Sequence, residues 1–289
     1  MRWFDYAAPA SVDEAVRLLA ATPDACLLAG GTDLLTQIRN GRKRTGLVVD
    51  GKRIAELNQI RIEPDGALTL GAAVPCYRIY GDRALTRVFP SLAEVASIIG
   101  GTQIQGRASI GGNLCNASPS ADSVPLLIAL GAVCRVAGPA GAREIAVESF
   151  CVAPGRNALQ PGELLVSLHF PAPPPRFGAQ YLRFIPRNEM DIAVAGAGAA
   201  VTLEDGHFRS ARIALAAVAP SPLFLREAGE ALAGKPVNES SLAEAAAIAR
   251  AAASPITDMR GNADYRRHLC GVLTRRALEA AIRKAGDAQ

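Results

Sequence analysis

Apolar residues at 12, 15, 16, 18 and 19 recur at helical spacing through SVDEAVRLLAA (11–21). Ser11 and Glu14 ahead of that stripe form a capping box. The short apolar run Ala25 to Ala29 then reads as a strand that enters a glycine pair, Gly30-Gly31. Asp33 to Asn40 predicts a short helix ended by Gly41, and Leu47 to Asp50 predicts a second strand. The result is a small β-α-β unit whose glycine turn lies between strand and helix, where backbone donors and the helix dipole favour anions. Ile60–Ile62 and Ala67–Leu70 flank Pro64-Asp65-Gly66 as a hairpin. Residues 91–99 (SLAEVASII) predict another helix, again opened by a Ser-x-x-Glu capping signature. The next stretch, 100–125, lacks helical periodicity and is rich in Gly, Ser, Asn and Pro. Its embedded Ile104, Ile110 and Leu114 predict a long ordered loop rather than a disordered one. Leu126 to Leu130 then begins an apolar helix ended by Gly131, and Ala132 to Ala137 resumes strand character.

The pattern breaks at Phe170-Pro171-Ala172-Pro173-Pro174-Pro175, which places a domain boundary there. Beyond it come an Ala/Val/Gly-rich strand (192–203), the turn Glu204-Asp205-Gly206 and an antiparallel return (208–218). Helices follow near 222–234, 240–253 and 262–284, the last basic and amphipathic. This predicts an N-terminal domain over 1–175, with subdomains of about 1–56 and 57–175, and a smaller α+β domain over 176–289.

Composition narrows the function classes. Apolar residues make up 49% of the 289-residue chain and aromatics only 5%, so the core is built from Ala, Val, Leu and Ile. A formal net charge of +4 does not imply nucleic acid, and Arg42-Lys43-Arg44 reads as a solvated loop, with a phosphate or partner contact as the alternative. The opening WFDY lacks the basic start and apolar stretch of a signal peptide, and no apolar run reaches membrane-spanning length. The six cysteines (26, 76, 115, 134, 151, 270) show no CxxC pair, which argues against a zinc or iron–sulfur site held by this chain alone. Free thiols in a reducing cytoplasm are the expectation.

Candidate chemistry resides in two glycine pairs, LAGGTDL (28–34) and ASIGGN (108–113). Without a Cβ, paired glycines let backbone N–H groups approach an anion closely. Each alone fits a plain structural turn. Neither has the spacing of G-x-G-x-x-G, and no GKS or GKT is present. Together they suggest two loops converging on one pyrophosphate.

With those residues in view, the chain resembles the FAD-binding (medium) subunits of the molybdenum hydroxylases, the xanthine dehydrogenase and carbon monoxide dehydrogenase family. The resemblance rests on LLAGGTDLL (27–35), ASIGGNLCNASPSADSVPLL (108–127) and YLRFIPRNEMDIAVAG (181–196), and runs from the opening WFDY to the final YRRHLCGVLTRRAL. It implies an α+β fold: an FAD-binding domain of two α/β subdomains (vanillyl-alcohol-oxidase/PCMH type), then a C-terminal α+β domain of the carbon monoxide dehydrogenase flavoprotein type. It also implies that Leu28, Ala29, Gly30, Gly31, Thr32, Asp33 and Leu34 surround the FAD diphosphate, met from the other side by Ser109, Ile110, Gly111, Gly112 and Asn113. Asp122 would contact the nucleotide portion, with a helix N-cap as its bland alternative. Leu165 would pack against the flavin, with plain core packing as its default.

Three positions depart from known members. Ile99 replaces a phenylalanine and Arg183 a lysine of xanthine dehydrogenase, and Ile192 replaces a tyrosine of carbon monoxide dehydrogenase. Each lost aromatic removes a ring contact worth about 0.5–1.5 kcal/mol, which implies a looser flavin or a more open reactive face. A cysteine-bearing insertion typical of 4-hydroxybenzoyl-CoA reductases is lacking after Asn116, so no extra cluster is expected. The implied partners are a large molybdopterin subunit and a small [2Fe–2S] subunit, in a heterotrimer or a dimer of heterotrimers. FAD here would take electrons from the cluster and pass them to NAD, a quinone or another acceptor. No catalytic side chain for the organic substrate, no metal and no nucleic-acid partner is expected. Three rivals remain: a stand-alone reductase of the UDP-N-acetylenolpyruvoylglucosamine reductase type, a Rossmann dehydrogenase using Asp50 for the ribose, and a flavin-free assembly module.

Overall fold

The structure is a computed structural model that describes residues 3–287. The chain opens with β1 (Asp5–Ala7), α1 (Val12–Ala21), β2 (Cys26–Leu28), α2 (Leu34–Arg39), β3 (Leu47–Asp50) and α3 (Ala55–Asn58). The three strands form a parallel sheet in the order β1-β3-β2, in register Tyr6↔Val48 and Cys26↔Val48. The expected β-α-β unit is therefore present, and β1 adds an edge strand that the aromatic opening segment did not predict. Ser11 caps α1 by accepting the Glu14 amide at 3.3 Å, while the Glu14 carboxylate reaches back to the Ala10 amide at 3.1 Å.

A second layer follows: β4 (Ile60–Ile62), β5 (Leu68–Gly71), α4 (Cys76–Gly81), α5 (Arg83–Val88), α6 (Pro90–Ser97), α7 (Thr102–Gln105), α8 (Ile110–Cys115), α9 (Val124–Ala129), β6 (Val133–Gly138), β7 (Gly141–Ala146), β8 (Cys151–Ala153), β9 (Arg156–Asn157) and β10 (Leu164–Phe170). Its antiparallel sheet runs β4-β5-β10-β6-β7. Leu68, Leu70, Leu168 and Phe170 alternate toward one face and bury with α6, α8 and α9 in the largest core. Two expectations are corrected here. Ser91 does not cap α6; its hydroxyl donates to the Ala179 carbonyl at 2.6 Å, and Phe89 occupies the cap position without a side-chain bond. The segment 100–125 is not one loop, because α7 and α8 fold within it; helices this short lack the repeats that periodicity needs.

The remaining elements are β11 (Phe177–Phe184), β12 (Ala195–Glu204), β13 (His207–Ala216), β14 (Leu223–Phe224), α10 (Arg226–Leu232), α11 (Glu239–Ala252) and α12 (Ala263–Asp287). They build a four-stranded antiparallel sheet, β11-β12-β13-β14, with Ala197 and Ala199 buried against the apolar side of α12. On its opposite face Gly198 meets α9: a Cβ there would lie 2.6 Å from the Pro125 carbonyl carbon. Small residues on β12 thus let helices approach both faces, which explains a core poor in aromatics. No helix among the described residues is long and apolar enough to cross a membrane.

Candidate functional site

The first glycine turn leaves β2 and enters α2. Leu35 donates to the Gly31 carbonyl at 3.0 Å, but the amides of Gly30, Gly31, Thr32, Asp33 and Leu34 find no acceptor among the described residues. Gly31 adopts a φ of 78°, the left-handed conformation that turns successive N–H groups toward a common point. Desolvation raises the Asp33 carboxyl above its ordinary value. Asp33 precedes α2 without making a side-chain cap.

The second pair lies in the first turn of α8 rather than in a loop. Ser109 caps that turn, its hydroxyl accepting the Gly112 amide at 3.0 Å and its carbonyl the Asn113 amide at 2.9 Å. The amides of Ser109 and Gly111 have no acceptor among the described residues, whereas the antiparallel bridge between Pro75 and Ser109 turns the Ile110 amide toward the Val74 carbonyl. Gly111 is pressed against Ala72 behind it, since a Cβ would sit 2.4 Å from the Ala72 carbonyl oxygen. Removing the cap with Ser109→Ala is expected to cost about 1 kcal/mol, lowering the thermal unfolding midpoint by about 2–4 °C.

The two turns meet. A Cβ on Gly30 would lie 2.0 Å from the carbonyl oxygen of Arg107, two residues before Ser109. A second tie joins the far ends of the two helices, where Gln37 donates to the Asn116 side chain at 3.0 Å. Two turns with unpaired amides therefore border one another, and a group with several negative oxygens is the chemical complement of such a pair. Charge-assisted bonds from backbone N–H groups hold an anion without needing lysines.

Asp122 connects this cradle to the C-terminal sheet. Asn113 accepts the Ser123 hydroxyl at 2.7 Å, and the adjacent Asp122 accepts the Tyr181 hydroxyl at 2.9 Å and forms an ion pair with Arg183. Burial pushes the Asp122 carboxyl up, outweighing the Arg183 charge and the two hydrogen bonds that oppose it. Burial and the neighbouring carboxylate hold the Tyr181 phenol well above its usual range, so it remains a donor. Asp122 is not a helix cap; Ser123 precedes α9, and no side chain caps it. Tyr181 lies within YLRFIPRNEMDIAVAG, yet its role is silent in the sequence, because its partner is 59 residues away and leaves no local signal.

The other candidates are more dispersed. Leu165 is 1% exposed in the main core, one residue before Val166, whose carbonyl accepts the Ala72 amide behind Gly111. Ile99 is buried in the same core, whereas Ile192 is half exposed. Gly101, just after Ile99, lies against the sulfur of Met190 in the segment that follows Arg183. Asp50 is buried and tied into its own segment of the chain. Its carboxylate accepts the Tyr6 hydroxyl at 2.5 Å and the Lys52 amide at 2.9 Å, and pairs with the Lys52 ammonium at 2.6 Å. No group of His, Cys, Asp and Glu suited to a metal ion occurs among the described residues.

Comparison with known proteins places this geometry in a family. Residues 2–173 match the FAD binding domain in molybdopterin dehydrogenase, and residues 180–281 match the CO dehydrogenase flavoprotein C-terminal domain. The chain belongs to the molybdopterin dehydrogenase FAD-binding family. It is 33% identical to the xanthine dehydrogenase FAD-binding subunit of Escherichia coli O157:H7, over 98% of each chain. It is 35% identical to the carbon monoxide dehydrogenase medium chain of Afipia carboxidovorans, again over 98% of each. Among solved structures, reconstituted CO dehydrogenase from Oligotropha carboxidovorans superposes with a TM-score of 0.93 at 35% identity, covering 98% of this chain and 99% of that one. The α+β architecture and the FAD-binding assignment that the resemblance implies agree with these matches.

Proposed function

We propose that this chain is the FAD-bearing subunit of a molybdenum hydroxylase, taking electrons from a [2Fe–2S] partner and passing them to NAD, a quinone or another external acceptor. The observation that carries this reading is the meeting of two glycine turns with unpaired amides, Gly30 to Leu34 in one and Ser109 and Gly111 in the other, where Gly30 abuts the Arg107 carbonyl. Bound FAD supplies a store that accepts electrons singly and gives them up in a pair. The chain's own task is to hold and orient it. Residues 28–34 and 109–113 grip the diphosphate. Asp122, with two acceptor bonds made and others to spare, takes a hydroxyl of the nucleotide portion. Arg183, Ile99 and the backbone at Leu165 border the flavin end. Domain limits of 1–175 and 176–289 go with this reading.

The organic substrate is transformed elsewhere, in a large molybdopterin subunit, and a small [2Fe–2S] subunit completes a heterotrimer or a dimer of heterotrimers. A reducing cytoplasmic setting suits the six free thiols. Purification tests the reading: a yellow protein that releases FAD on denaturation and co-elutes with a larger and a smaller subunit is expected. A colourless monomer overturns it. Stripping the flavin is expected to lower the unfolding midpoint. Adding FAD back at about 100 times its dissociation constant should restore about 2.7 kcal/mol, read from unfolding curves.

A further inference from the structure

Arg39, Arg42, Lys43 and Arg44 put four positive charges into six residues without an acidic one among them, as much as the formal net charge of the whole chain, +4. All four are exposed, and none makes an ion pair or a side-chain hydrogen bond among the described residues. Arg42-Lys43-Arg44 fits a solvated loop or a phosphate or partner contact, and a single cation at the C-terminal end of α2 would satisfy that helix end. Four exceed that need. Nor do they serve the diphosphate cradle: α2 begins at the first glycine turn and ends at Arg39, about 9 Å further along its axis.

The second component is aromatic. Trp3, the only tryptophan of the chain, is 99% exposed. It lines, with Asp24, Ile38, Arg39, Lys43, Arg44 and Gly46, a surface cavity of about 430 Å³ in which one carboxylate is set against three cations. Tryptophan and arginine are the residues most enriched where protein interfaces concentrate their binding energy, and a wholly solvated indole is an unspent apolar contact.

We propose that Trp3 and the 39–44 cation cluster form a docking face for an acidic surface of a partner subunit in the assembled enzyme. Naming a subunit as the occupant rests on the flavoprotein-subunit reading above. Charge complementarity selects a surface bearing clustered carboxylates, with an apolar residue to cover the indole. A protein fits better than a nucleic acid, because the cations make one compact patch beside a single aromatic. The rest of the chain is balanced: of 31 basic residues, the 27 outside the cluster face 27 acidic ones.

The test uses the full chain assembled with its two partner subunits, comparing wild type with Trp3→Ala and with the double reversal Arg42→Glu/Arg44→Glu. Affinity is measured by analytical ultracentrifugation at low and at physiological salt. The double reversal is expected to weaken assembly by roughly 30-fold, the size of one interface hot spot, and to flatten its salt dependence. Trp3→Ala is expected to weaken assembly with the salt dependence retained. Flavin content and unfolding midpoint should not move, because these side chains are exposed and lie outside the cradle. Unchanged affinity and salt dependence in the double reversal overturn the proposal while leaving the flavin reading intact. So does tight binding of a short DNA duplex by wild type that the reversal abolishes. A wild-type chain that carries no FAD and joins no partner defeats the flavin reading first, and this one with it.

Discussion

Gly30→Ala is expected to give a chain that folds poorly and emerges nearly without flavin. The added methyl would lie 2.0 Å from the Arg107 carbonyl oxygen, a backbone atom that cannot rotate aside as a side chain would. Either the first glycine turn or the segment before Ser109 must shift, at about 1–3 kcal/mol for an overpacked site. The shift also parts the two turns. Losing one or two charge-assisted bonds of about 1.5–3 kcal/mol each corresponds to a roughly 100-fold loss of FAD affinity. Flavin absorbance per mole of purified protein and FAD titration of the stripped protein measure it. Gly81→Ala is the control, since nothing lies within 4 Å of its Cβ position. If Gly30→Ala binds FAD like wild type, the two turns do not hold the diphosphate between them.

Arg183→Leu is the second large effect, and it falls on stability. The Asp122 and Arg183 side chains are only 13% and 10% exposed, so removing the cation strands a carboxylate in a poorly solvated place. Breaking such a pair costs about 3–5 kcal/mol. The loss should depend on pH. Burial already raises the folded-state Asp122 above the ordinary 3.8, and Arg183 is the foremost influence opposing that rise. A group raised in the folded state contributes stability below its unfolded value and gives it up as pH climbs through the folded one. In Arg183→Leu the folded value rises further, so the deficit against wild type should be small near pH 4 and grow toward neutrality. Urea unfolding across that range is the measurement. The double variant Asp122→Asn/Arg183→Leu should recover much of the loss and lose the pH dependence. A deficit independent of pH would mean that Arg183 acts through packing alone.

Local signals located much of this molecule. Ser11 and Glu14 announced α1, Pro64-Asp65-Gly66 the β4–β5 turn, and Gly131 the end of α9, because caps and tight turns are settled by a few neighbouring residues. The Ser91-x-x-Glu94 signature failed for a tertiary reason. Its hydroxyl found the Ala179 carbonyl, 88 residues away, and a buried acceptor outbids a cap that water can replace. Helices α7 and α8 escaped notice because four to six residues make scarcely a turn and a half.

The glycine pairs show the same division. That each was a place where backbone amides lie bare could be read from the absence of a Cβ and from the small polar flanks. Their occurrence as a pair suggested convergence on one anion, but the contacts that bring them together could not be read. The site depends on Gly30 touching Arg107, on Asn113 holding Ser123, and on Gly198 letting β12 press against α9 so that Asp122 reaches Arg183. Local sequence set the turn chemistry because φ, ψ and capping are short-range. Packing across tens of residues set the site, because only the folded core brings such partners within hydrogen-bond reach.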